Sequence, residues 1–102
     1  MSTPPHPMRL VTIVCEAIAR DLVLRLARDS GAHGATISPA SGLGATGERP
    51  ADIEEAANIR VELVVTPDVA ARIAERVERD LFPHFACILW ESDVRVLRRE
   101  KF

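Results

Sequence analysis

Residues Ser41 to Pro50 read SGLGATGERP, and the core from Gly42 to Gly47 satisfies the pattern G-x-G-x-x-G. Glycines at this spacing let backbone N–H groups approach an anion with no Cβ in the way, which is the chemistry of phosphate-binding turns. A second cluster, Gly34, Ala35 and Thr36, has the same character, and Ser38 and Thr46 add hydroxyl donors. Cations suited to an oxyanion such as phosphate stand at Arg49 and, near the C-terminus, at Arg95, Arg98, Arg99 and Lys101. The turn from Pro83 to Ala86, with His84 and Phe85 at its centre, offers an apolar wall for a heteroaromatic ring. Each feature also has a plainer reading. Arginines near a chain end commonly lie on a solvated strand face, and Phe82 and Phe85 suit a core as well as a ligand.

The elements around these residues decide what the glycines are for. LVTIVC, Leu10 to Cys15, is a β-branched apolar run that predicts a buried strand. Ile18, Leu22 and Leu26 then form an apolar helical stripe, with Asp21 and Arg25 spaced for an i,i+4 pair and Gly31 as a left-handed stop. Ala35 to Pro39 predicts a short strand, and 40–57 shows no strong periodicity. Asn58 to Thr66 alternates, with Val61, Leu63 and Val65 on one face and Arg60 and Glu62 on the other. Thr66 is a good N-cap and Pro67 suits the first helical position. Val69, Ile73, Val77 and Leu81 form the stripe of that second helix, Asp68–Arg72 and Glu75–Arg79 are spaced to pair along it, and Pro83 closes it. Ala86 to Trp90 is a further strand, and Asp93 to Leu97 a short C-terminal edge strand. Two βαβ halves of this size predict an α+β, ferredoxin-like βαββαβ sandwich with both helices on one face of the sheet.

In that frame the G-x-G-x-x-G match is not a dinucleotide turn. Such a turn follows its strand directly and opens a helix. Here the glycines come after the second strand, Pro50 leaves room for only a short helix, and about 45 residues follow Asn58. All five glycines of the chain fall within the 17 residues from Gly31 to Gly47, which points to a long glycine-rich loop, either a binding loop or a tolerated surface insertion.

Bulk properties narrow the classes further. The chain has 102 residues, 47% of them apolar and 27% charged, which suits one globular domain. A net charge of −2 with interspersed signs argues against a duplex nucleic-acid binder. No apolar run is long enough to insert directly in a membrane and the N-terminus lacks a signal-peptide core, so a cytoplasmic location is expected. Residues 1–8 resemble a disordered leader ahead of a domain spanning 9–102. Cys15 and Cys87 lie in apolar runs and read as buried thiols, and the scattered His6, His33 and His84 show no metal-ligand spacing.

The order VTIVCEA, GAHGATISPASGLG, TGERP, NIRVELVVT, a helix, and FPHFACILWESDVRVLRREKF resembles the PII signalling superfamily over Arg9 to Phe102. The nearest likeness is to the PII-like branch of SbtB and the carboxysome-associated PII-like proteins. Its most specific pieces are Gly31 to Ile37, Gly42 to Gly47, Asn58 to Glu62 and the closing Val96 to Phe102. The resemblance implies a homotrimer that binds adenine nucleotides (AMP, ADP, ATP or cyclic AMP) in clefts between subunits, with bicarbonate as a further ligand. It places a ligand-ordered T-loop at about 39–57, which docks on a partner such as a bicarbonate transporter or another protein of inorganic-carbon metabolism. The binding set it implies is Gly34, Ala35, Thr36, Ser38, Gly42, Gly44, Thr46, Arg49, His84, Phe85, Arg95, Arg98 and Lys101.

The chain also departs from the family pattern. The SbtB-like arginines between the G-x-G and the TG are missing, because Gly44 runs through Ala45 directly to Thr46. That shift favours AMP-like ligands over di- and triphosphates. The paired-cysteine C-terminal extension of some SbtB proteins is missing, and with no tyrosine in the chain, control by uridylylation is excluded. An alternative is a small trimeric enzyme hydrolysing a nucleotide at the interface, with Glu48, Asp52, Glu54 and Glu55 around Mg²⁺. No nucleophile–base pair supports it, so a non-enzymatic sensor is the expected function. A copper-tolerance role suits the chain poorly for want of clustered His, Cys or Met.

Overall fold

The computed structural model describes residues 5–41, 43–44, 47–48 and 57–102. In chain order the elements are β1 (His6–Glu16), a 3-10 turn (Ala17–Ala19), α1 (Arg20–Ser30), β2 (Thr36–Ala40), β3 (Leu43–Gly44) and β4 (Gly47–Glu48). They continue with β5 (Asn58–Val65), α2 (Pro67–Asp80), β6 (Cys87–Val96) and a closing 3-10 turn (Arg99–Lys101). The principal sheet has the order β2-β5-β1-β6 with every neighbouring pair antiparallel, and β3 and β4 pair as a separate two-stranded ribbon. This is the expected βαββαβ sandwich.

Strand alternation divides the sheet into two faces. Val11, Ile13 and Cys15 of β1 and Val61, Leu63 and Val65 of β5 are buried against the helices. The helices answer with Val23, Leu26 and Ala27 from α1 and Val69, Ala70, Ile73 and Val77 from α2, followed by Leu81. Each of the larger of these side chains contributes about 1.5–3 kcal/mol by leaving water. The α2 stripe is the expected one, and Thr66 caps the helix, its Oγ1 accepting from the Val69 N–H at 3.4 Å. Gly31 ends α1 at φ 114°, also as expected.

Several local expectations are corrected. β1 begins at His6 and Met8 is buried, so residues 6–8 are strand, while 1–4 lie outside the described residues. Ile18 is 71% exposed and the buried side of α1 starts from Ala19 and Val23, because the 3-10 turn at Ala17–Ala19 shifts the helical phase. The anticipated i,i+4 ion pairs give way to other partners. The Arg72 guanidinium donates to the Ser30 carbonyl at 3.0 Å, Arg79 pairs with its neighbour Asp80, and Arg20 with Asp21. α2 stops at Asp80, three residues ahead of Pro83. Asp93 to Val96 is not a separate edge strand: β6 runs unbroken because its ladder with β1 continues to the His6–Val96 rung. Cys15 is buried but Cys87 is only half-buried, and both are free thiols.

Candidate functional site

The site is built on the sheet face that the helices leave open. β2 and β5 pair with Thr36 opposite Glu62, and β5 and β1 pair with Glu62 opposite Thr12 and Val64 opposite Leu10. These even-numbered residues alternate with the core set and therefore share the open face. Beyond β6 the chain turns back through the 3-10 turn, closed by the Lys101 N–H to Arg98 carbonyl bond at 2.9 Å and the Phe102 N–H to Arg99 carbonyl bond at 3.0 Å. That return sets Lys101 and Phe102 over the open face. Together with Leu10, Glu62, Val64 and the segment Gly34, Ala35, Thr36 they enclose a cavity of about 340 Å³.

The chemistry of this cavity is mixed in a specific way. Leu10, Val64 and Phe102 supply flat apolar surface, Thr36 a hydroxyl, Lys101 an ammonium and Glu62 a carboxylate. Glu62 is half-buried and makes no ion pair or side-chain hydrogen bond with another described residue, so its acceptor capacity is available. Gly34 has no positive φ, and a Cβ built there would meet nothing within 4 Å. Backbone strain and packing against the described residues therefore do not require glycine at this position, and the backbone there is open to close approach. Such a cavity fits a ring with hydrogen-bonding edges and an attached anion.

Four of the sequence-derived residues (Gly34, Ala35, Thr36 and Lys101) are thus brought together. Ser38 follows Thr36 on the same strand face, opposite Arg60. Gly44 pairs with Gly47 in the β3–β4 ribbon. Gly42, Thr46 and Arg49 lie outside the described residues, as does most of the T-loop expected at 39–57. The remaining residues are not gathered at this cavity. His84 and Phe85 sit in the turn after α2, where both N–H groups donate to the Leu81 carbonyl, and Phe85 packs partly on the core. Arg95 lies opposite Pro7 on β6, and Arg98 is exposed with Glu100 at 3.6 Å, a weak surface pair.

Leu10, Glu62, Val64 and Phe102 were missed by sequence reasoning. The alternation of NIRVELVV had already put Glu62 on the face opposite the core. What was lacking was the register that sets it beside Thr36. The turn next to His84 is tied to the first strand by the Ala86 N–H, which donates to the Glu16 carboxylate at 2.8 Å. Among the described residues no group of three or more His, Cys, Asp or Glu gathers for a metal, and no helix is long and apolar enough to cross a membrane.

The family described as "Nitrogen regulatory protein P-II" matches residues 8–101. A crystal structure from Thermus thermophilus, described as that of a PII-like signalling protein, is 40% identical, with TM-score 0.85 over 98% of this chain and 99% of that one. CPII from Thiomonas intermedia K12, a nitrogen regulatory PII-like protein solved bound to ADP, AMP and bicarbonate, is 22% identical, with TM-score 0.87 over 97% of this chain and 96% of that one. The apo form of CPII matches with TM-score 0.75 at 18% identity, over 91% of this chain and 95% of that one. Among curated proteins nothing matches.

Proposed function

Because this chain belongs to the P-II family of nitrogen regulatory proteins, we propose that it is a non-enzymatic PII-like sensor whose open-face cavity holds the base of an adenine nucleotide. One observation carries the reading: Gly34, Thr36, Glu62 and Lys101 converge on a cavity with apolar walls. Leu10, Val64 and Phe102 sandwich the ring. The Glu62 carboxylate accepts from the exocyclic amine or a ribose hydroxyl, and the open backbone at Gly34 admits the ligand closely. Lys101 balances the phosphate charge.

The rest of the site comes from a second copy. Trp90, 44% exposed, and Ile88, 58% exposed and paired with the half-buried Val14, continue the open face as large apolar side chains left in water within one chain. Homotrimer formation covers it and gives Arg95, Arg98, His84 and Phe85, which stand away from the cavity within one chain, a ligand on a neighbour. The domain is then 9–102 plus the strand residues 6–8, working in the cytoplasm. In this reading the nucleotide biases the T-loop at about 39–57 between states that do or do not dock on a partner, a bicarbonate transporter or another carbon-metabolism protein. The fold-level likeness to CPII supports the carboxysome-associated branch and bicarbonate as a further ligand. The short stretch between Gly44 and Gly47, without arginines, favours AMP over ADP and ATP.

Titration calorimetry with AMP, ADP, ATP and cyclic AMP, each with and without bicarbonate, tests the proposal. Saturable binding, strongest for AMP, is expected. No heat and no thermal shift at millimolar nucleotide would sink it.

A further inference from the structure

A second cavity, of about 320 Å³, lies on the other side of the 32–35 segment, between α1 and the edge strand β2. Its floor is apolar, formed by Leu24 and Ala27 of α1, Ile37 of β2 and Leu63 of β5. Its rim is cationic. Arg20 and Arg28 stand two turns apart on α1, about 12 Å along the axis, and His33 faces them from the loop. Among the described residues no acidic side chain lines the groove. Among the described residues Arg20 has only the exposed Asp21 carboxylate at 3.4 Å, and Arg28 has no carboxylate within ion-pair distance.

We propose that this groove is a second small-molecule site, for an organic anion made of a compact apolar body and one carboxylate or phosphate head. Burial of the body against Leu24 and Ile37 supplies affinity, and a guanidinium at either end of the helix face fixes the head. The volume is in the range of small-ligand sites. Gly34 and Ala35 line both cavities, and alternation sends Thr36 into the first and Ile37 toward the second. A ligand that fixes this shared wall changes the neighbouring cavity, and by linkage the effect is reciprocal. The coupling rests on the nucleotide reading above, whereas the groove itself does not.

The test is an amide NMR titration of the full chain, first without nucleotide, using benzoate and phenyl phosphate, with benzyl alcohol as the uncharged control. Saturable shifts at Leu24, His33 and Ile37 are expected with one or both anions, and which of them binds tighter identifies the head group. Affinity should fall at least fivefold in Arg28→Gln and Arg20→Gln and be restored in Arg28→Lys. Both arginines are exposed, so these variants keep the fold. No saturable shift, equal binding of benzyl alcohol, or unchanged affinity in both glutamine variants overturns the site. Saturating AMP is then added. A change of at least twofold in anion affinity supports the shared wall, and an unchanged constant removes the coupling. A chain that binds the anion but no AMP fails the nucleotide reading and leaves the groove standing.

Discussion

Cys15 and Cys87 are register partners across the β1–β6 ladder, one buried and one half-buried, with both thiols free. Burial pushes the Cys15 thiol up to about 11, assisted by the Glu16 charge, and the Cys87 thiol up to about 12, assisted by Cys15. At pH 8 only about one Cys15 thiol in a thousand is then ionised. Iodoacetamide should alkylate the folded chain at least 100-fold more slowly than the chain in guanidinium, and comparable rates would refute the burial argument. The linkage has a definite sign. A folded thiol that keeps its proton above the ordinary value of 9.0 contributes stability present below that pH and lost as pH rises toward 11. Denaturant midpoints should fall over that window, and replacing both cysteines with alanine should flatten the fall.

The two glycines on either side of the Ala32–His33 pair separate stability from binding. Gly31 holds φ 114°, and a Cβ there would stand 3.1 Å from Val69 Cγ2. Gly31→Ala should therefore cost about 1–3 kcal/mol in urea unfolding. Gly34→Ala meets nothing within 4 Å and should leave the midpoint within about 0.5 kcal/mol of wild type. Its nucleotide affinity should nevertheless fall about tenfold. Full affinity in Gly34→Ala would show that no ligand approaches that backbone.

Glu62 allows a similar separation. Its carboxylate has no partner among the described residues, so Glu62→Gln should leave the unfolding midpoint nearly unchanged. Losing the charged acceptor should weaken AMP by about 1.5–3 kcal/mol, roughly 10- to 100-fold by calorimetry. A variant that unfolds early while binding normally would assign Glu62 to the fold instead.

Where α2 meets α1, the Arg72 Nε–H donates to the Ser30 carbonyl at 3.0 Å, satisfying an acceptor at the end of α1. Arg72→Ala is expected to cost about 1 kcal/mol. Thr66→Ala, which removes the side-chain cap of α2, is expected to cost about 0.5–1 kcal/mol. The two changes remove separate interactions with no shared partner, so chemical denaturation of the double variant should give their sum within about 0.5 kcal/mol.

What was legible in the sequence follows from how local each signal is. The α2 stripe and its Thr66–Pro67 start depend on residues within one or two turns, and the strand alternation of NIRVELVV depends on neighbours two apart. Both survive folding unchanged. Ile18 failed because three residues of 3-10 turn rotate the helix phase, a choice made by the geometry at the end of β1. The expected i,i+4 pairs failed because a carbonyl from another helix, or an adjacent aspartate, offers those arginines a nearer partner. The cavity was half legible. Gly34, Ala35 and Thr36 announce themselves by composition, but Leu10 and Val64 join them only through a register linking strands over 50 residues apart, and Phe102 only through the return of the tail.

The sheet also fixes where the long excursion after β2 leaves and returns. Ala40 pairs with Asn58, and the Ala57 carbonyl accepts from the Ala17 N–H at 2.8 Å, so residues 41–57 begin and end at one address on the sheet. A segment anchored this way is a cassette: doubling its length adds only about 0.6 kcal/mol of closure entropy, and the sandwich beneath need not move. Selection can therefore rewrite this segment without renegotiating how the rest of the chain folds.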